Sequence, residues 1–286
     1  MDNAPFTLST PVDWTSPVVF SSPHSGARYP DMFVRRSVLS ATVLRSSEDA
    51  HVDALFDAVP QFGAHLLSAV FPRAWVDLNR RQDEFDPALI EGAPRGVLNP
   101  RVASGLGVIP RVVSGGRAIY RGKISRQEAQ SRIEAVWRPY HARLDALLGQ
   151  TRVRFGEAIL VDCHSMPREA VANVRTKSGR RPEIVVGDRY GASAANEYVT
   201  QIEVAFRRQG FEVARNTPFA GAYIAQHYGR PMDGQHAVQV EIDRALYMNE
   251  VTLERSVHFN AVAEAISAAA MEIADIGQQK RALAAE

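Results

Sequence analysis

Apolar residues in this chain gather in short runs that stop at turn-forming residues. The runs are "PVVFSS" (17–22), "AHLLSAVF" (64–71), "EAILVDCHS" (157–165), "PEIVVGD" (182–188), "FEVARN" (211–216) and "HAVQVEI" (236–242). Their length and content of β-branched and aromatic residues predict six strands. Between them the period changes. Glu48–Gln61 carries Val52, Leu55, Phe56 and Val59 as one helical stripe. Ser125–Leu148 opens on "SRQE", with Ser125 as a cap and Glu128 at the capping-box position. Further helices are predicted over Ala192–Gln209 and Thr252–Gln278, the last running into a polar tail. Strands alternating with helices predict an α/β layered fold with a largely parallel sheet, whose ligand site lies beyond the carboxyl ends of the strands. Residues 82–121 break the pattern, with Gly and Pro throughout and little periodicity. This loop-rich segment is expected to leave the core and act as a lid or rim.

Two strand ends carry the same signal. His24-Ser25 follows the first run and His164-Ser165 ends the third. Two imidazoles in matching strand-end positions suit a metal, above all zinc, which takes His nitrogen and carboxylate oxygen and keeps one position open in catalytic sites. Either histidine taken singly reads as a loop hydrogen-bonding group. A third ligand is offered by Glu48, Asp49 or Asp53, although acidic residues are also favoured in a first helical turn by the macrodipole. Ser25 and Gly26 read as small residues that keep the approach to His24 open. In "AVFPRAWVDLNRR" (69–81), Arg73 and Arg80 offer forks for a substrate carboxylate and Asn79 a further donor, or else structural ion pairs. In the last run Val238, Val240 and Ile242 alternate with Gln239, Glu241 and Asp243. Glu241 is then either a general base facing a metal cleft or an exposed edge-strand carboxylate.

Composition narrows the classes. With 45% hydrophobic and 23% charged residues the chain has material for a sizeable core. A net charge of +1 gives no footprint for nucleic acid or a membrane surface, and no run reaches about 18 apolar residues. The single cysteine, Cys163, excludes an internal disulfide and, with no leader-like start, leads us to expect a cytoplasmic protein. There is no G-x-S-x-G elbow, P-loop or G-x-G-x-x-G after a strand. Cys163 and His164, being adjacent on a strand, point to opposite faces and do not form a nucleophile pair.

The motifs "SSPHSG", "SEDAHVD", "RAWVDLNR", "RPYHARLDAL", "LVDCHSM", "NTPFAGAYIAQHYG" and "HAVQVEIDRALYM" together, in this order, resemble the N-formylglutamate amidohydrolase family from Pro17 to about Leu253. The resemblance implies a core similar to zinc carboxypeptidases: a single domain over 1–286, three-layer αβα, with a mixed, largely parallel sheet. It implies hydrolysis of N-formyl-L-glutamate or a related N-acyl amino acid by zinc-activated water, with one zinc per chain. Carried over by residue, His24, Asp49 and His164 match the metal ligands, with Glu48 as the neighbouring alternative to Asp49. Glu241 matches the base, Asn79 and Arg80 with Arg73 the carboxylate site, and Asn216, Tyr223 and His227 the pocket lining. The sequence has Ala222 and Tyr223 where the histidine-degrading members of the family carry Gly and His, which bears on the choice of acyl amino acid. A metallo-carboxypeptidase or peptidoglycan amidase on the same core is the rival activity, and a silent carboxylate-binding protein the rival class.

Overall fold

A computed structural model of the chain describes residues 4–94 and 99–277. The strands are β1 (Phe6–Ser9), β2 (Val18–Ser22), β3 (His65–Ala69), β4 (Val112–Val113), β5 (Arg117–Ala118), β6 (Ala158–Met166), β7 (Ile184–Gly187), β8 (Val213–Arg215) and β9 (Gln235–Asp243). Seven of them form one sheet in the order β1-β3-β2-β6-β9-β7-β8. The middle of the sheet, β3, β2, β6 and β9, is parallel, whereas β1 and the β7-β8 pair run the other way. All six predicted strands are present. β1 is an addition to them: only half its residues turn inward, and no apolar run marks it. β4 and β5 make a separate two-stranded ribbon.

The pleat sorts side chains into two cores, since neighbours on a strand face opposite ways. Val18, Phe20, Ile159, Val161, Cys163, Val238, Val240 and Ile242 pack with the helices Asn196–Arg208 and Phe259–Ala274. Val19, Leu160 and Ala237 pack on the opposite face with Leu144, Leu147 and Leu148 of the helix Arg138–Phe155. A mixed, mostly parallel sheet between two helical layers is the result. Cys163 is thus a core residue on the face away from His164.

The last helix, expected from Thr252, begins only at Phe259, and two further segments depart from the sequence reading. Residues 48–61 do not form one helix: His51 takes a left-handed φ of 66°, helix spans only Val52–Leu55, and a 3-10 turn covers Val59–Phe62. The apolar stripe is buried as expected, but Glu48 and Asp49 precede the helix, so the first-turn account of their charge does not apply. Residues 82–121 are loop-rich yet do not stand off from the core. Leu89, Ile90, Val108, Ile109 and Ile119 are buried in the second core. Residues 95–98 of that segment, and Gln278 with the tail beyond it, lie outside the described residues. The predicted long helix is capped by Ser125, which accepts from Glu128 N at 3.1 Å. It carries a π turn at Ile133–Trp137, a feature frequent near functional sites. Here the turn presents Trp137, whose Nε1 donates to Arg80 O at 2.9 Å.

Candidate active site

The parallel strands deliver their polar ends to one place. β2 ends at Ser22, and the turn after it is tied by Ser22 Oγ to Ser25 Oγ at 2.9 Å, which puts His24 over the sheet edge. Gly26 does not guard an approach to His24. A Cβ there would lie 2.2 Å from Phe71 O, so glycine is needed for the chain to pass the end of β3. The His24 carbonyl accepts from Asp49 N at 3.1 Å, which draws the 48–50 turn to the histidine. β6 and β9 pair in register with Asp162 opposite Gln239 and His164 opposite Glu241.

At this junction His24 Nδ1 and His164 Nδ1 are 3.1 Å apart, and Asp49 Oδ2 lies 3.0 Å from the latter and 3.4 Å from the former. Glu48 is buried as well, but its carboxylate is held by Arg45 at 3.0 Å. It is therefore Asp49 that joins the two histidines. His24 Nε2 donates to Asp77 Oδ1 at 2.7 Å and His164 Nε2 donates to Asp162 Oδ2 at 2.8 Å. An ionised carboxylate only accepts, so each Nε2 carries the proton, and in the neutral imidazoles both Nδ1 atoms present lone pairs. Three lone pairs thus converge from three residues, each with at most 2% of its surface exposed. Asp49 Oδ1 is held by Arg244 Nη2 at 2.8 Å, which leaves Oδ2 for the histidines.

The charge balance favours a cation at the point of convergence. Asp49, Asp77 and Asp162 surround the two imidazoles, with the guanidinium of Arg73 on Asp77, that of Arg244 on Asp49, and none in ion-pair contact with Asp162. Burial opposes charge on His164, but the carboxylates of Asp162 and Asp49 outweigh it and raise the imidazole well above its usual pKa. The surroundings favour a positive charge on this ring, which a metal ion at Nδ1 would supply in place of a proton. Burial likewise raises Asp77, but Arg73 beside it and the bond from His24 hold its carboxyl well below the ordinary range. The donor set of two imidazoles and one carboxylate, each imidazole backed by its own carboxylate, fits a divalent zinc-type ion.

A cavity of about 160 Å³ opens beside this cluster. His24, His164, Arg73, Asn79, Arg80 and Glu241 line it, with Asp49 directly behind. Glu241 is buried, and Gln239 two residues before it on the same face donates to Glu241 Oε1 at 2.8 Å. Burial, reinforced by the charge of Asp49 and moderated by His164, pushes the Glu241 carboxyl up to about 7. A carboxyl there exchanges protons near neutrality. Arg73 is not a free fork: Nη2 pairs with Asp77 at 2.9 Å and Nη1 lies 3.7 Å from Asp49. Arg80 is buried and held only by carbonyls, donating Nε to Leu106 O and Nη1 to Asn79 O. Burial lowers its pKa, and the charge of Asp77 offsets this only in part.

The far wall is the backbone of 219–222. β7 ends at Gly187, where a Cβ would sit 2.7 Å from the Ala220 carbonyl carbon and 2.8 Å from Gly221 N. Asn216 does not line the cavity. With φ of 61° it clasps Asp188, Nδ2 donating to Oδ1 at 2.6 Å, and so fixes the start of this wall. Tyr223 and His227 also stand outside the lining. Tyr223 packs against Trp137 and His141, and His227 stacks on Tyr223 at the surface.

The sequence model of the N-formylglutamate amidohydrolase family matches residues 16–248, the span that contains every residue of this cluster. The chain belongs to that family. It is 32% identical to the N-formylglutamate deformylase of Pseudomonas aeruginosa over 237 residues, covering 82% of this chain and 83% of the relative. A Pseudomonas putida N-formylglutamate deformylase is 30% identical over 237 residues, with 82% of each chain covered. The crystal structure of the N-formylglutamate amidohydrolase from Ralstonia eutropha superposes with a TM-score of 0.89 at 37% identity, over 97% of this chain and 99% of that one. The amidohydrolase fold thus extends over nearly the whole chain. Among the described residues, no helix is long and apolar enough to cross a membrane.

Four residues around the converging donors have no role assigned from the sequence: Asp77, Asp162, Gln239 and Arg244. Two of them have a readable signal. Asp162 and Gln239 lie two residues before His164 and Glu241, on the same face of a strand, the position from which a side chain reaches its neighbour. Asp162→Asn keeps an acceptor for His164 Nε2–H but removes the charge. It is expected to weaken zinc binding about 10–100-fold in competition with a chelating dye. Unchanged affinity would show that Asp162 does not orient a ligand.

Proposed function

We propose that the chain is a zinc-dependent deformylase of N-formyl-L-glutamate or a closely related N-acyl amino acid. The observation that carries this reading is the convergence of His24 Nδ1, His164 Nδ1 and Asp49 Oδ2 beside a cavity that also holds Glu241 and Arg80. A bound zinc would polarise the acyl carbonyl and make the attacking water more acidic.

The chain's own residues do the rest. Arg80 pairs with the substrate carboxylate, and Asn79 adds a donor. Because His164 Nε2–H points to Asp162, the Asn79 Nδ2 group 3.3 Å away meets no lone pair there, which leaves its protons for the cavity. Asn79 is itself fixed by Ile224 N, which donates to Oδ1 at 2.7 Å. Glu241, oriented by Gln239, takes a proton from water as the C–O bond forms. It returns that proton to the amine as the C–N bond breaks, giving formate and the free amino acid. Arg73, bridging Asp49 and Asp77, places positive charge next to the carbonyl oxygen as it gains electrons.

The small, walled cavity supports a short acyl group over a peptide. Purified protein is expected to release formate from N-formyl-L-glutamate and to leave short peptides ending in glutamate intact. Faster cleavage of the peptides would replace this reading with the carboxypeptidase one.

A further inference from the structure

Four arginines line the cavity, and they fall into two pairs. Arg73 and Arg244 are neutralised by Asp77 and Asp49. Arg80 and Arg101 have no carboxylate within ion-pair distance among the described residues. Arg80 is buried and held by carbonyl oxygens, and Arg101 is exposed. The two are linked through one short segment. Arg80 Nε donates to Leu106 O at 2.9 Å, and Leu106 N donates to Arg101 O at 2.8 Å. Arg101 sits in the helix Pro100–Ala103, whose first turn is closed by Asn99 Oδ1 accepting from Val102 N at 2.9 Å. The position of Arg101 is therefore built from the same bonds that hold Arg80. Its charge adds to the lowering of the Arg80 pKa by burial, against the raising effect of Asp77, so the two cations repel each other across the cavity lining.

Two guanidiniums without a carboxylate in ion-pair contact, both lining one small cavity, match a ligand with two carboxylates. We infer that Arg101 is a specificity-determining residue that binds the side-chain carboxylate of the substrate while Arg80 binds the other. The enzyme then selects N-acyl derivatives of acidic amino acids over neutral ones. This rests on the proposed deformylase reading for the direction of substrate binding, but its test does not depend on turnover. It also gives the 82–121 segment a part in recognition, because one of its side chains reads the substrate.

Glutarate and glutaramate, its monoamide, differ by one charge at equal length. Calorimetry on the zinc-loaded protein is expected to show tighter binding of glutarate. In Arg101→Met that preference should fall about tenfold or more, with Arg101→Lys retaining part of it. In turnover, Arg101→Met should raise KM for N-formyl-L-glutamate by a similar factor, leave kcat nearly unchanged, and leave N-formyl-L-glutamine unaffected. An exposed arginine on a four-residue helix is dispensable for folding, so an unchanged melting temperature is expected. If the preference for glutarate survives in Arg101→Met, the inference is overturned, whatever the activity. If it is lost while the wild-type protein fails to hydrolyse N-formyl-L-glutamate, the inference stands and the deformylase reading falls.

Discussion

Glu241→Gln is expected to lower kcat on N-formyl-L-glutamate by roughly 10²–10⁴-fold while zinc content and KM stay close to wild type. The substitution preserves shape, and Gln239 still finds an oxygen to bond, so the local packing survives. What disappears is the carboxylate that takes a proton from water and passes it to the leaving amine. Glu241 lies beside the three converging donors without being one of them, so the metal should remain. Metal analysis alongside kinetics separates the two roles. Loss of zinc together with activity would make Glu241 a ligand, and near wild-type kcat would remove it from the mechanism.

Stripping the protein with a strong chelator is expected to abolish turnover, and one equivalent of zinc to restore it. Stability should move as well, because an ion bound only by the folded chain adds about 4 kcal/mol at a thousandfold excess over its Kd. In a chain of this size each kcal/mol shifts Tm by roughly 2 °C, so calorimetry should register a fall of several degrees. His24→Ala should reproduce the loss of activity without recovery on adding zinc. A chelated protein with full turnover would refute the zinc mechanism.

The legible part of this fold is its period-2 and strand-end grammar. The run that ends just before His24 and the run that carries His164 mark β2 and β6 to within a residue or two, and the alternation through Glu241 marks β9 and the face its carboxylate takes. Asp162 and Gln239 are within reach of the same rule. Asp77 is not, because its contact with His24 depends on how the chain turns after β3, which no periodicity records. The 48–61 stripe misleads in the opposite sense. Its burial pattern is helical, but a left-handed residue at His51 divides it, and that break is what lets Asp49 turn toward the histidines. Asn216 and His227 belong to the right region of the fold, but one serves Asp188 and the other an aromatic stack on the surface. Sequence order places them near the pocket without saying which way they face.

Gly187 carries a consequence for how such an enzyme changes its diet. The wall at 219–222 leans on the bare backbone of position 187, so its distance from the hydrolytic centre is set by main chain against main chain. Phe219 and Ala222 line the cavity from that wall and can be exchanged to reshape it while the frame stays put. A methyl group at 187 instead pushes the entire wall and penalises every substrate alike. New substrate preferences are therefore easiest to acquire at the decorations and hardest at the fulcrum beneath them.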